Sequence, residues 1–322
     1  MTGGTGFIGS HTVEQLIAEG FHVRCLIRPH QISLRWLQDL PVDLVKCDLL
    51  NSASILKSIE DAEYIIHIAG VTKAKRQSEF FTGNVTTTNN LLSAASQLKH
   101  MKKFCYISSL TAAGPSPTGI PLNETVHCHP ITSYAKSKLE AERICKRYSE
   151  KFPIVVIRPP AVFGPRDTDT LEIFKWVNLG LKPVLGSSAK TLSLVYAPDL
   201  AKGIIRATFD DRTSGETYNI ADPTIFTFSS IIDYLATFIH KRTIQVYLPK
   251  GLVYSMAVIT QFMSLFDKGP AVLNIEKARD LLQKHWVCDP RKIYEHIGFQ
   301  TPTSIYDGMN KTFQWYKDKG WL

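Results

Sequence analysis

The chain has 322 residues, enough for a large core and about two domains, with 44% hydrophobic and 20% charged residues as in an ordinary globular protein. Its formal charge of +8 allows attraction to anionic lipid, nucleic acid or a phosphorylated ligand. There is no run of five Lys/Arg and no nucleic-acid-binding motif, so nucleic-acid binding is excluded and most of the charge reads as a solvated basic surface.

The chain opens on MTGGTGFIG, with Gly3, Gly6 and Gly9 at every third position. Phe7 and Ile8 lead into HTVEQLIAEG, where Val13, Leu16 and Ile17 share one helical face. The glycines therefore sit where a strand turns into a helix. The first permits the tight turn, the second lets backbone approach a pyrophosphate, and the third lets the helix pack close to a sheet. The helix N-terminus then offers N–H groups to an anion. Such a turn needs a strand before it, and Met1-Thr2 is too short to provide one. The expectation is that a strand of ~5–6 residues precedes Met1 in the native chain, and no signal peptide is read.

Strand and helix then alternate, which predicts a parallel sheet with helices on both faces. Residues 22–27, 42–50, 62–70, 103–109 and 153–164 read as strands, and 84–98 and 133–152 as helices. After Gly164 the alternation is lost. The division expected is a Rossmann domain over 1–164, to which 192–209 returns, and a mainly substrate-binding domain over 165–322. The uncharged run 252–266 is shorter than the ~18–20 residues that span a bilayer. It reads first as a buried or lid helix, and otherwise as peripheral contact with a membrane or an apolar substrate.

Of six cysteines, none forms a CxxC pair, and Cys25, Cys47 and Cys105 lie in apolar runs that predict core packing. That usage fits a reducing, cytoplasmic compartment. The His127-Cys128-His129 triplet has no second ligand cluster, so no metal is expected.

An NAD site usually places an acid about twenty residues past the glycines, and an NADP site an Arg. Here Ile27-Arg28-Pro29 ends the strand and no acid follows until Asp39, which favours NADP, with NAD the alternative. Asp48 ends the next strand, placed to meet the adenine edge. Tyr134 and Lys138 stand four apart in SYAKSKLEAE, one turn apart on one face. A phenol near an ammonium and a cationic nicotinamide has its pKa lowered and can exchange the proton of an alcohol while hydride moves. Ser109, in YISSLTAAG, is placed to hydrogen-bond the substrate oxygen.

These stretches, with CDLL, HIAG, NVTTTNNLL, RPPAVFGP, YAPDLAKGI and the closing GMNKTFQWYKDKGWL, resemble the extended short-chain dehydrogenases/reductases, the epimerase/dehydratase-like branch, over nearly the whole chain. The resemblance implies an α/β fold, a doubly wound Rossmann sheet with a smaller C-terminal substrate domain. It implies that Gly3, Gly6, Phe7, Ile8 and Gly9 cradle the dinucleotide and that Asp48 and Leu49 meet adenine. Ala69, Gly70 and Val71 line the ribose-phosphate path, Asn84 lies near the cofactor, and Pro160 falls where backbone nears the nicotinamide. Ser109, Tyr134 and Lys138 form the triad, with Lys138 and Tyr134 also touching cofactor. Ser108 is the alternative serine, but Ser109 has the family's usual distance from Gly114.

The reading favoured is an NADP-dependent dehydrogenase or reductase interconverting a carbonyl and a secondary alcohol on a largely hydrophobic small molecule, close in character to dihydroflavonol-reductase and 3β-hydroxysteroid-dehydrogenase groups. Ala161 stands where sugar epimerases commonly carry Asn, and Leu192-Ser193 where they carry Arg-Asp. Both lost groups would contact a diphosphate. Lys190 is a potential replacement cation. Ser109-Leu110-Thr111 lacks the Thr-Asp-Glu of sugar dehydratases. A nucleotide-sugar epimerase with tightly held NAD(P) is the alternative, and a non-catalytic NADP-binding sensor or scaffold the third. A homodimer is a further expectation.

Overall fold

The computed structural model describes residues 1–31, 33–186, 190–264, 266, 269–271 and 273–322. The first half alternates as its apolar runs dictate. Helix α1 (Phe7–Ala18) leads to β1 (Arg24–Ile27), β2 (Asp43–Lys46), α2 (Ser52–Ile59) and β3 (Tyr64–His67). Then come α3 (Gln77–Phe80), a π-helical turn over Phe81–Thr86 and α4 (Thr87–Ala95). The unit closes with β4 (Lys103–Ile107), α5 (Ser133–Tyr148) and β5 (Ile154–Arg158). Both β4 and β5 are buried at every position, as parallel strands covered by helices on each side must be.

The elements are shorter than the apolar runs that predict them. The run 84–98 is not one α-helix, because its first turn belongs to the π-helical segment and α4 stops at Ala95. The run 153–164 is two strands. Pro159 and Pro160 carry no N–H for a ladder, so β6 (Ala161–Phe163) leaves the sheet.

The second half contains α6 (Asp169–Asn178), β7 (Leu181–Leu185), β8 (Thr191–Leu192), β9 (Leu194–Tyr196), α7 (Ala197–Phe209) and β10 (Thr217–Asn219). It continues through β11 (Phe226–Thr227), α8 (Phe228–Phe238), β12 (Ile244–Leu248), α9 (Lys250–Met263), α10 (Ile275–Leu281), β13 (His285–Trp286), α11 (Arg291–Ile297) and α12 (Ile305–Asp318).

The main sheet has the parallel order β2-β1-Thr2-β3-β4-β5-β10. Thr2 holds the central place alone. Its N–H donates to the Ile66 carbonyl (3.0 Å), and the Leu26 N–H donates to the Met1 carbonyl (2.8 Å). The Met1 ammonium donates to the Arg24 carbonyl at 2.6 Å, and burial lowers its pKa. Where the N-terminal ends of β1 and β3 run on past this single residue lies a cavity of about 300 Å³, lined by Leu16, Phe21, Val23, Tyr64, Ile66 and Phe209 among others. It is at the opposite end of the strands from the residues that carry the chemistry.

One face of the sheet is covered by α1, α7 and α11 through Val13, Leu200, Ile204 and Ile293. The other is covered by α2, α4 and α5 through Ile55, Leu91, Leu92 and Ile144. Of the segment 192–209, α7 packs on this unit while β8 and β9 lie in separate small sheets; β10, paired with β5, and α11 also join the unit, so the chain crosses between the two halves more than once. A third core, with Phe163, Phe174, Leu194, Leu235 and Tyr316, holds the C-terminal half. Cys25, Cys47 and Cys105 are buried in the sheet cores and all six cysteines are free thiols.

The run 252–266 is not buried. Only Val253 and Ala257 of α9 are enclosed, the helix ends at Met263, and Leu265 lies outside the described residues.

Candidate active site

Gly3 stands at φ +76°, and a Cβ there would lie 2.7 Å from the Ala69 nitrogen. A Cβ on Gly9 would lie 2.0 Å from the Gly3 carbonyl oxygen, so only glycine lets α1 start this close to the turn. A Cβ on Gly6 would meet nothing but the Gly3 carbonyl, at 3.2 Å, which leaves that side open to a ligand. Helix α1 has no side-chain cap at Gly6 and no acid in its first turn, so the N–H groups around Phe7, Ile8 and Gly9 face an anion without competition. This bare glycine cradle at the point where the strand order reverses fits a dinucleotide pyrophosphate.

Arg28 and Asp48 follow the adjacent strands β1 and β2, and both are exposed. Asp48 accepts from the Leu50 N–H (3.0 Å), and the Leu49 carbonyl accepts from Asn90 (3.1 Å). From Arg28 to Ser109, past the end of β4, is a span of three strand spacings, roughly 14 Å, which suits an extended ligand laid across the strand ends.

A chain of buried hydrogen bonds links the glycine turn to α5. Thr2 Oγ1 accepts from the Ala69 N–H (3.2 Å) and so donates to His67 Nδ1 (2.7 Å). His67 Nε2 then donates to Thr88 Oγ1 (2.9 Å), whose own proton goes to the Asn84 carbonyl (2.5 Å). These partners assign the Nε2–H tautomer. The Asn84 amide accepts from the Val71 N–H (2.7 Å) and donates to the Val71 carbonyl (3.0 Å) and to Ser137 Oγ (2.9 Å). Ser137 donates to the Tyr134 carbonyl (2.7 Å). A Cβ on Gly70 would lie 2.9 Å from Asn84 Oδ1 and 3.9 Å from Lys138 Nζ, which puts all three at one spot.

The two serines at the end of β4 diverge. Ser108 Oγ donates to Glu142 Oε1 at 2.5 Å, and Glu142 also takes a two-pronged ion pair from buried Arg158 (2.9 and 2.6 Å). Ser109 instead stands near the Tyr134 phenol and acts to lower its pKa against the effect of burial. It also accepts from the Thr111 N–H (3.2 Å) and hydroxyl (2.9 Å). Lys138 Nζ donates to the Ile107 carbonyl (2.5 Å) and lies over the Tyr106 ring, 4.4 Å from its centroid. Burial lowers its pKa to about 8.

The expected lowering of the Tyr134 pKa does not hold for the chain by itself, since burial pushes it up to about 12. Lys138 is turned to a carbonyl and a ring face, and the Asp280 charge pushes the phenol's pKa further up. Pro160 is half-buried beside Pro159, whose carbonyl accepts the Leu110 N–H (2.8 Å) and ties this turn to the Ser109 segment.

Several groups escape the sequence reading. His67 lies within HIAG and Ser137 within YAKSK, motifs noted for other residues. Glu276 of α10 accepts from both the N–H (3.1 Å) and the hydroxyl (2.8 Å) of Ser133, the first residue of α5. No spacing in the sequence announces a contact across 143 residues. Asp280 Oδ1 is buried with no hydrogen-bond partner, and burial raises the pKa of that carboxyl.

The diphosphate positions are occupied differently from what a cation site needs. Ser193 is buried and accepts from the Cys288 N–H (3.0 Å), Leu192 is in β8, and Ala161 is exposed in β6. Lys190 Nζ donates to the Leu281 carbonyl, and burial lowers its pKa to about 8. Of the His127–His129 triplet, His129 Nε2 bonds the Pro115 carbonyl (3.0 Å), and no metal-ligand cluster occurs among the described residues.

A doubly wound parallel sheet with this turn at its switch point places the chain among Rossmann-type dinucleotide-binding folds. Residues 1–221 match the sequence model of the NAD dependent epimerase/dehydratase family, and the chain belongs to that family, whose members are NAD(P)-dependent. It is 26% identical over 323 residues to a ceramide reductase of Caulobacter vibrioides, covering all of this chain and 95% of that one. It is 24% identical to a putative dihydroflavonol 4-reductase of Synechocystis, covering 100% and 95%. The fold matches UDP-glucuronic acid 4-epimerase from Bacillus cereus in complex with NAD, with a TM-score of 0.80 at 22% identity over 99% and 98% of the two chains.

Proposed function

We propose that the protein is an NADP-dependent oxidoreductase that interconverts a carbonyl and a secondary alcohol on a largely hydrophobic, lipid-like molecule. The observation that carries this reading is the convergence of Ser109 on the Tyr134 phenol, with Lys138 one helical turn along α5 and close to Gly70 and Asn84. Gly3, Gly6, Phe7, Ile8 and Gly9 would hold the pyrophosphate, Arg28 the 2′-phosphate, Asp48 and Leu49 the adenine, and Ala69, Gly70, Val71, Asn84, Lys138 and Pro160 the nicotinamide half.

When bound, the nicotinamide supplies or takes up hydride. The chain's own residues manage the oxygen. Ser109 orients the substrate oxygen by a hydrogen bond, and the Tyr134 hydroxyl delivers a proton to it as a carbonyl is reduced, or removes one as an alcohol is oxidised. Lys138, which donates to the Ile107 carbonyl in the chain by itself, would have to turn toward the phenolate left behind in order to stabilise it. Asn84 and Ser137 hold the turn of α5 that presents both groups.

Two supports favour an apolar substrate. Lys190, Leu192 and Ser193 offer no free cation for a diphosphate. The full-length likeness to a ceramide reductase is also to a protein named for acting on a lipid. The test is NADPH consumption on long-chain ketones and ceramide-type carbonyls, set against UDP- and dTDP-sugar interconversion without added cofactor. Turnover is expected with the lipids, and Tyr134→Phe is expected to lower it ~10²–10⁴-fold with NADPH affinity retained. Sugar turnover, or a Tyr134→Phe enzyme at the parental rate, overturns the reading.

A further inference from the structure

Outside the site, the feature that stands apart is α9. Its inner stripe, Val253 and Ala257, packs on Ala278 of α10 and on Leu282 just past its end. The opposite face is open and mostly apolar, with Ser255 its exposed polar residue: Leu252, Met256 and Val258 are exposed, and Ile259, Phe262 and Met263 are 58%, 60% and 63% exposed. A single exposed leucine is unremarkable, but a whole uncharged helix face is the mark of an interaction surface.

The charge around this face selects its occupant. From Ile239 to Ser264 the chain has Lys241, Arg242 and Lys250, all exposed, and no Asp or Glu. An uncharged helix face on a stretch of chain that carries cations and no acid suits an anionic lipid surface, where the side chains enter the acyl boundary and the cations meet headgroups. A second copy of the chain laid on the same face would bring these cations against their own equivalents, which is unfavourable. The helix has 14 residues, about 21 Å at 1.5 Å per residue, too short for a ~30 Å hydrocarbon core. No helix among the described residues is long and apolar enough to cross a membrane. The helix would therefore lie in the plane of the interface.

We infer that the outer face of α9, on the acid-free segment that carries Lys241, Arg242 and Lys250, docks the protein on an anionic bilayer surface. The position has a functional consequence. Helix α9 rests on α10, and α10 holds the start of α5 through Glu276 and Ser133, next to Tyr134. A bilayer under α9 is thus one helix away from the candidate catalytic residues, and a lipid-like substrate would leave the membrane beside them.

Vesicle flotation of the full chain tests the docking with no substrate present, so its failure is separable from failure of the proposed reaction. The parent is expected to float with equimolar phosphatidylcholine–phosphatidylglycerol vesicles and far less with phosphatidylcholine alone. Ile259→Ser combined with Phe262→Ser should abolish flotation on both. Lys241→Glu combined with Arg242→Glu should weaken binding to the anionic vesicles by roughly tenfold or more. Unchanged NADPH affinity and melting temperature would show that both variants are folded. A parent that stays with the protein fraction, or apolar variants that float as well as the parent, overturns the inference. So does a dimer in sedimentation velocity that the same apolar substitutions dissociate, because the face would then be a self-interface.

Discussion

In the proposed reaction Arg28 would select the cofactor and Tyr134 would carry the proton, each through its surroundings. Arg28 is exposed past the end of β1, with Asp48 past the end of the neighbouring strand. A 2′-phosphate there would gain a charge-assisted contact of ~1.5–3 kcal/mol, about 10- to 150-fold in affinity. Arg28→Asp is therefore expected to reverse the preference from NADPH to NADH, read by fluorescence titration of both nucleotides. Tighter NADH binding by the parent would defeat the argument. The position of Arg28 was legible because strand ends in a parallel sheet follow directly from where apolar runs stop. The Tyr134 pKa was not. Its elevation to about 12 comes from burial, and its neighbours are set by rotamers and tertiary contacts that a spacing of four residues does not encode.

At the scale of elements, His67 joins three of them. Through Thr2 it meets the glycine turn, and through Thr88 it meets α4 and then, by way of Asn84 and Ser137, α5. Burial holds its pKa down at about 3, with the Lys138 charge adding to the effect. The folded ring thus stays neutral while the unfolded one takes up a proton near pH 6.5. Its contribution to stability is intact above pH 6.5 and is lost as pH falls from there through about 3, at about 1.4 kcal/mol per pKa unit. His67→Gln can hydrogen-bond both threonines but has no proton to gain. Urea unfolding of parent and variant between pH 7 and 4 should show the parent losing more stability on acidification, and parallel curves would refute the role. Elements of this unit could be read from sequence where apolar period and length agreed, as in β4 and α5. They could not be read where backbone chemistry intervened. Pro159-Pro160 splits one apolar run between two sheets, and a π-turn around Asn84 has no signature in hydrophobic period.

For the molecule as a whole, the question is how the C-terminal half controls chemistry that sits on the sheet. The contact is small and specific. Glu276 of α10 places one carboxylate oxygen on the N–H and hydroxyl of Ser133, at the positive end of a 16-residue helix whose next residue is Tyr134. Arg279 adds a bond to the Ile131 carbonyl (3.3 Å). The candidate cofactor cradle, Gly3 to Gly9, packs instead against Ala69 and its own turn. Removing the clasp should therefore separate two affinities that an ordinary loss of fold would lower together. Glu276→Ala is expected to raise the substrate KM and lower kcat/KM by about tenfold, the worth of one charged hydrogen bond, with NADPH affinity unchanged. Glu276→Gln, which keeps an acceptor oxygen, should recover part of the loss. Steady-state kinetics with NADPH titration read both quantities. Equal losses in NADPH affinity and kcat/KM, or a Glu276→Ala enzyme with parental kcat/KM, would mean that α10 only packs against α5 and does not position Tyr134.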